Sequence, residues 1–179
     1  MELINGKYMS SGVDLVDLAS KFGTPLYVYD AAVIRRQYDQ LKEAFNLTKL
    51  RIHYACKANT NLSILKFIHS LGAGLDCVSI EEVEIGLRAG FLPDQIMFTP
   101  NGVSFDEIRM AVSKGVRINI DNLSMLELFG NEYGSQIPCC IRFNPHIQAG
   151  GNPHIQTGHM DSKDRKSTRL NSSHSSVSR

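Results

Sequence analysis

The chain has 179 residues, 42% of them hydrophobic and 21% charged, with a formal net charge of +1. That length supports one domain with a real core, and the balance is that of a globular rather than a disordered chain. No apolar run approaches the roughly 18 residues of a membrane span. Residues 164–179 hold four of the Lys and Arg residues and one Asp, which leaves a net of −2 over residues 1–163 and no basic face for nucleic acid.

The opening stretch MELINGKYMSSG lacks the basic start and apolar run of a secretory signal. Cys56, Cys77, Cys139 and Cys140 show no C-x-x-C pair and no zinc-ligand spacing. Together these predict a cytoplasmic protein with reduced, partly buried thiols. Residues 1–24 stand apart from the rest of the chain. Val13 to Phe22 predicts a short helix, and after Gly-Thr-Pro the run LYVYD at 26–30 predicts a strand. This leader reads as part of another domain.

A regular beat begins next. Asp30 is placed to cap a helix whose Ile34, Tyr38, Leu41 and Phe45 share one face. Apolar runs then start at Ile52, Leu75, Ile96, Arg117 and Cys139, about 21 to 23 residues apart. Nearly apolar strands of this kind suit a parallel sheet covered on its faces. Asn61 predicts the cap of a helix over LSILKFIHSL. Ser79-x-x-Glu82, Ser104-x-x-Glu107 and Ser124-x-x-Glu127 read as capping boxes, with Gly90, Gly115 and Gly130 as stops. The alternation predicts an α/β fold, either an open doubly wound sheet or a closed (β/α)8 barrel. The tight repeat, and the lack of G-x-G-x-x-G after any strand, favour the barrel. Five strands would then be about five of eight, an incomplete TIM-type barrel with two unpaired edges.

Lys57 ends the first apolar run of that sheet. Strand alternation puts His53, Ala55 and Lys57 on one face, with Lys57 at the carboxyl end, where such barrels build their active sites. A lysine of depressed pKa there is a good nucleophile for a carbonyl. Taken alone, the position favours a lysine that snorkels to solvent.

Six motifs in order decide between these: TPLYVYD (24–30), YACKAN (54–59), GAGLDCVS (72–79), INIDN (118–122), IRFNP (141–145) and TGHMDSK (157–163). Together they resemble the amino-terminal part of the diaminopimelate decarboxylase family, pyridoxal-phosphate enzymes with an alanine-racemase-like barrel. The resemblance covers residues 1–163. Y-A-x-K-A-N is shared with ornithine and arginine decarboxylases, whereas T-G-x-x-D-S-K is more particular to this family.

The resemblance implies that Lys57 carries pyridoxal 5'-phosphate covalently. It also implies that the reaction is decarboxylation of meso-2,6-diaminopimelate to L-lysine, a step of lysine biosynthesis, and that the full-length protein is a homodimer. It places Asp76 close to the cofactor, where a carboxylate holds Lys57 in its charged form, and Arg142 beside the cofactor ring. Against these stand a solvent-facing Asp and a structural ion pair. Glu82 matches an acidic position of the related enzymes, but its capping role and that of Ser79 explain both equally well. Asn59 reads as a shaper of the turn into the next helix. His146, His154 and His159 have spacings that fit no metal motif, and no metal site is expected. The loop AGGN at 149–152 lacks the lysine and serine of a P-loop.

The domain plan is therefore a leader over 1–24, a partial cofactor-binding barrel over 25–163, and a tail over 164–179. In the family D-S-K is followed by Phe-Gly. Here it runs into DRKSTRLNSSHSSVSR, with six serines and no stripe, which predicts disorder and reads as translated linker rather than native sequence. The histidine, glycine-rich loop and acid that the family uses after this point would be missing, so the 179-residue chain is expected to lack decarboxylase activity. Two alternatives remain: an ornithine- or arginine-type decarboxylase, and a non-catalytic pyridoxal-phosphate carrier built on a single barrel.

Overall fold

The structure is a computed structural model that describes residues 1–45 and 49–142. These form two compact units, Met1–Leu50 and from Arg51 onward. The expectations for His146, His154, His159, the 149–152 loop, the 157–163 motif and the tail lie outside the described residues.

The first unit opens with a small antiparallel sheet that the hydropathy pattern does not announce. Strands β1 (Glu2–Ile4), β2 (Lys7–Ser10) and β3 (Val13–Asp14) pair in that order. Their two-residue turns are Asn5-Gly6 and Ser11-Gly12, and all four residues have positive φ, between 46° and 80°. That twist matches hairpin strands, and Asn-Gly is its strongest short signal. Helix α1 spans Leu15–Phe22, so Val13 and Asp14 belong to a strand, and Asp14 caps the helix through Val16 N–H. The expected strand over 26–30 is not formed. Its backbone has no ladder partner among the described residues, and Tyr27 is 86% exposed. Helix α2 (Ala31–Ala44) starts where expected: the Asp30 carboxylate accepts from Ala32 and Val33 N–H. Ser10 and Ser11 hydroxyls also donate to Asp30, at 2.8 and 2.7 Å. These bonds draw its carboxyl down to about 2.

The second unit carries the five expected strands: β4 (His53–Ala55), β5 (Gly74–Cys77), β6 (Ile96–Phe98), β7 (Arg117–Ile120) and β8 (Cys139–Ile141). All are parallel and lie in the order β4-β5-β6-β7-β8. A doubly wound sheet reverses direction at a switch point; an unbroken sequential order is that of a barrel wall. The intervening helices are α3 (Leu62–Ser70), α4 (Ile80–Ala89), α5 (Phe105–Ser113) and α6 (Leu123–Tyr133). Successive crossovers of one hand put them on the same face of the sheet.

Alternation along each strand separates that face from the other. Leu75, Cys77, Ile96, Phe98, Ile118 and Ile120 are fully buried. They meet Leu65 and Ile68 of α3, Val83 and Ala89 of α4, Ile108 and Ala111 of α5 and Phe129 of α6, which complete the core. Each large side chain so buried contributes about 1.5–3 kcal/mol. Gly86 lets α4 approach closely: a Cβ there would stand 2.6 Å from Leu75 Cδ2. By contrast, no described residue of the first unit is buried.

The caps follow the sequence with two corrections. Asn61 caps α3, Ser104 and Glu107 form a full capping box on α5, and Gly90 ends α4 in the left-handed region at φ 101°. Helix α6, however, is capped by Asn122, whose side chain accepts from Met125 N–H. Ser124 therefore lies inside the helix. Gly130 lies inside it too, and Gly134 ends it. The Asx cap starts the helix two residues earlier and takes the Met125 amide, so the serine falls within the first turn.

Candidate functional site

Because all five strands run in one direction, their carboxyl ends form one edge of the sheet, and the residues singled out in the sequence fall along it. Lys57 follows β4 directly. It does not continue the strand: Cys56–Ala58 is a 3-10 turn, so the alternation that grouped Lys57 with His53 and Ala55 ends at Ala55. The turn lifts the lysine out of the sheet and leaves it exposed. Asn59 N–H closes the turn on Cys56 C=O at 3.1 Å, and its side-chain oxygen accepts from Asn61 N–H at 2.9 Å. Asn59 is thus the hinge between the lysine turn and the cap of α3, which is the turn-shaping role its position suggested.

The face of the sheet away from the helices is half-buried and polar. Register pairs Ala55 with Asp76 and Asp76 with Met97, so their side chains share that face. Asn119 pairs with Cys140 on the same side, and Arg142 continues its parity beyond β8. The Asp76 carboxylate accepts from the Thr99 hydroxyl at 2.6 Å. Thr99 is itself anchored by its N–H to Cys77 C=O at 2.7 Å. The sequence reading missed Thr99; its signal is a hydroxyl placed just past the end of a strand adjacent to that of Asp76. Lower on this face lies His53. Burial holds its imidazole below the usual 6.5; Asp76 opposes that shift, while Arg117 and Arg51 add to it. The Asn119 side-chain oxygen is buried and has no hydrogen-bond partner among the described residues. Arg142 is half-buried, and its N–H donates to Ile120 C=O at 2.8 Å.

Ser79 and Glu82 sit at the junction of β5 and α4. The Ser79 hydroxyl accepts from Glu82 N–H at 3.3 Å. Glu82 reaches back one residue further than a standard box, and its carboxylate accepts from Val78 N–H at 2.8 Å. It therefore ties down the strand end and stands beside the buried thiols of Cys56 and Cys77. The structure thus gathers Asp76, Thr99, Asn119 and Arg142 on one face and sets Glu82 among the thiols.

The donor set fits pyridoxal phosphate. Lys57 offers an exposed primary amine at the strand edge, and Asp76 a carboxylate steadied by Thr99. Asn119 offers a buried oxygen without a partner among the described residues, on the open face below them.

Comparisons with known proteins agree. Residues 31–167 match the family model described as pyridoxal-dependent decarboxylase, pyridoxal binding domain. A diaminopimelate decarboxylase of Methanothermobacter thermautotrophicus is 41% identical over 160 residues, covering 88% of this chain and 37% of that protein. The crystal structure of diaminopimelate decarboxylase from Helicobacter pylori, complexed with L-lysine, aligns with a TM-score of 0.75 at 37% identity, over 84% of this chain and 39% of that one. The diaminopimelate decarboxylase of M. jannaschii, in co-complex with L-lysine, aligns with a TM-score of 0.77 at 32% identity, over 90% of this chain and 40% of that one. The chain spans less than half the length of these relatives. Its parallel sheet, the lysine at the strand edge and the matched domain lead to one conclusion: the chain belongs to the pyridoxal-dependent decarboxylases, through their pyridoxal-binding domain.

Proposed function

We propose that the chain is the cofactor-binding half-barrel of a diaminopimelate decarboxylase, which converts meso-2,6-diaminopimelate to L-lysine and CO2. The observation that carries this reading is Lys57: an exposed amine at the carboxyl edge of a parallel sheet, in a chain 41% identical to an enzyme of that name. Two structures of similar proteins hold L-lysine, the product that this reaction requires.

Lys57 would hold pyridoxal 5'-phosphate, whose ring takes up the electron pair left at Cα when CO2 departs. Lys57, once released from the cofactor, would also be the amine available to return a proton to Cα, so one residue would serve for attachment and for general acid catalysis. Asp76, fixed by the Thr99 hydroxyl, would offer a steadied carboxylate to the cofactor's surroundings. Arg142 lies at the β8 end of the same edge and supplies positive charge to the cofactor's surroundings. The Asn119 oxygen would accept a hydrogen bond from a group bound on that face. Ser79 and Asn59 hold the two turns that frame the lysine. We further assign the working enzyme to a homodimer in the cytoplasm. Among the described residues no helix is long and apolar enough to cross a membrane.

The test joins residues 1–163 to the remaining part of the Methanothermobacter relative and compares CO2 release from meso-diaminopimelate, L-ornithine and L-arginine. Release from meso-diaminopimelate alone, abolished by Lys57→Ala, is the expected result. Preference for ornithine or arginine would move the chain to the other branch of the family.

A further inference from the structure

Behind the lysine turn, on the helix-covered side of the sheet, two thiols and a carboxylate meet. Register pairs Ala55 with Asp76, which makes Cys56 and Cys77 the next neighbours across β4 and β5. Their Sγ atoms and a carboxylate oxygen of Glu82 all lie within 4.8 Å of one another. Both thiols are free and fully buried, while Glu82 is only half-buried and marks the side open to solvent. A zinc ion holds sulfur at about 2.3 Å and carboxylate oxygen at about 2.0–2.2 Å, so its ligand atoms stand at most about 4.6 Å apart. In a tetrahedral site they stand about 3.5–3.8 Å apart, so binding requires the three groups to close to that spacing. Glu82 is already oriented, since its carboxylate accepts from Val78 N–H at 2.8 Å.

We propose that Cys56, Cys77 and Glu82 form a three-ligand site for a thiophilic divalent cation of the Zn2+ or Cd2+ kind. Two sulfurs and one carboxylate suit such an ion, and water fills the fourth position. Binding breaks one S–H bond in each thiol, forms two metal–thiolate bonds and releases two protons to solvent. A dication supplies the charge that holds two thiolates and a carboxylate together. The bound ion ties the end of β4 to β5 directly behind Lys57, since Cys56 adjoins the lysine and Cys77 adjoins Asp76. The site does not depend on the decarboxylase reading.

The test uses the reduced, metal-free 179-residue chain with Cys139→Ser and Cys140→Ser, which removes the other two thiols. Cd2+ is titrated while the ultraviolet thiolate-to-cadmium absorption and the released protons are followed. One Cd2+ per chain with two protons released is expected. Cys77→Ser and Cys56→Ala each abolish the two-thiolate band. Glu82→Gln keeps the band but weakens the affinity by at least about tenfold. No band in the parent chain, a band that survives Cys77→Ser, or an unchanged affinity in Glu82→Gln overturns the site. If Cys77→Ser does not fold, Cys56→Ala and Glu82→Gln decide by the same readings.

Discussion

The two faces of the five-stranded sheet share their backbone and differ in everything else. The helix-side face is a continuous apolar layer: Leu75, Cys77, Ile96, Phe98, Ile118 and Ile120 are all buried. The other face alternates with it residue by residue, yet carries His53, Asp76, Met97 and Asn119, all half-buried. Polar side chains at that depth cost stability unless they are bonded, and the Asn119 oxygen has no partner there among the described residues. One face therefore holds the fold, and the other holds groups that the fold does not need. The proposed function draws its chemistry from the open face and its carboxyl edge.

Substitutions on the two faces should separate activity from stability. The largest effect belongs to the edge: in the joined enzyme, Lys57→Ala should lower decarboxylation on the order of 10⁴-fold, with the urea midpoint of the 179-residue chain unchanged. A midpoint that falls with the activity would mean that Lys57 is structural. Next comes the buried face. Phe98→Ala should cost about 3–5 kcal/mol in urea unfolding, because it empties a fully buried aromatic site. The other face has one tight spot of its own, at the foot of β5 away from the carboxyl edge: Gly74→Ala should cost about 1–3 kcal/mol there. Its Cβ would stand 2.6 Å from the His53 ring and 2.7 Å from the Gln95 carbonyl oxygen, and the carbonyl cannot rotate away.

The smallest effect is a contrast in pH. The folded state holds His53 below its ordinary 6.5, so the unfolded chain binds more protons between the two values. Its contribution is complete above 6.5 and is lost as pH falls through the folded value. Cys56 behaves oppositely. Its folded value of about 11 exceeds the ordinary 9.0, so its contribution is complete below 9.0 and is lost as pH rises toward 11. Unfolding midpoints of His53→Gln should change in slope on the near-neutral acid side alone, and those of Cys56→Ala should lose part of the alkaline-side slope alone. If either variant altered both limbs, the faces would not be independent.

Much of this was legible in the sequence because each parallel strand is an apolar run between a cap and a turn. RINI is the strand Arg117–Ile120 residue for residue, and Asp30, Asn61 and Ser104 cap where their spacing said they would. Lys57 was found through its motif, but its setting was not. The 3-10 turn breaks the alternation on which the placement rested, and nothing in Ala-Cys-Lys-Ala announces it. The strands of the first unit, two to four residues each, are too short to show a period. Their signal was the pair of turns, Asn5-Gly6 and Ser11-Gly12. Cys56 and Cys77 are neighbours only through the β4–β5 register, and a separation of 21 residues matches no ligand spacing. Thr99 and Asn119 were invisible for the same reason: what they touch is decided by the adjacent strand.

The most direct test of the central claim is to find where the chain binds its cofactor. The 179-residue chain is mixed with one equivalent of pyridoxal 5'-phosphate, reduced with borohydride, digested and mapped by mass spectrometry. The account predicts the pyridoxyl group on Lys57, with its disappearance rather than its relocation in Lys57→Ala. Label spread evenly over the exposed lysines, or undiminished when Lys57 is replaced, would contradict it.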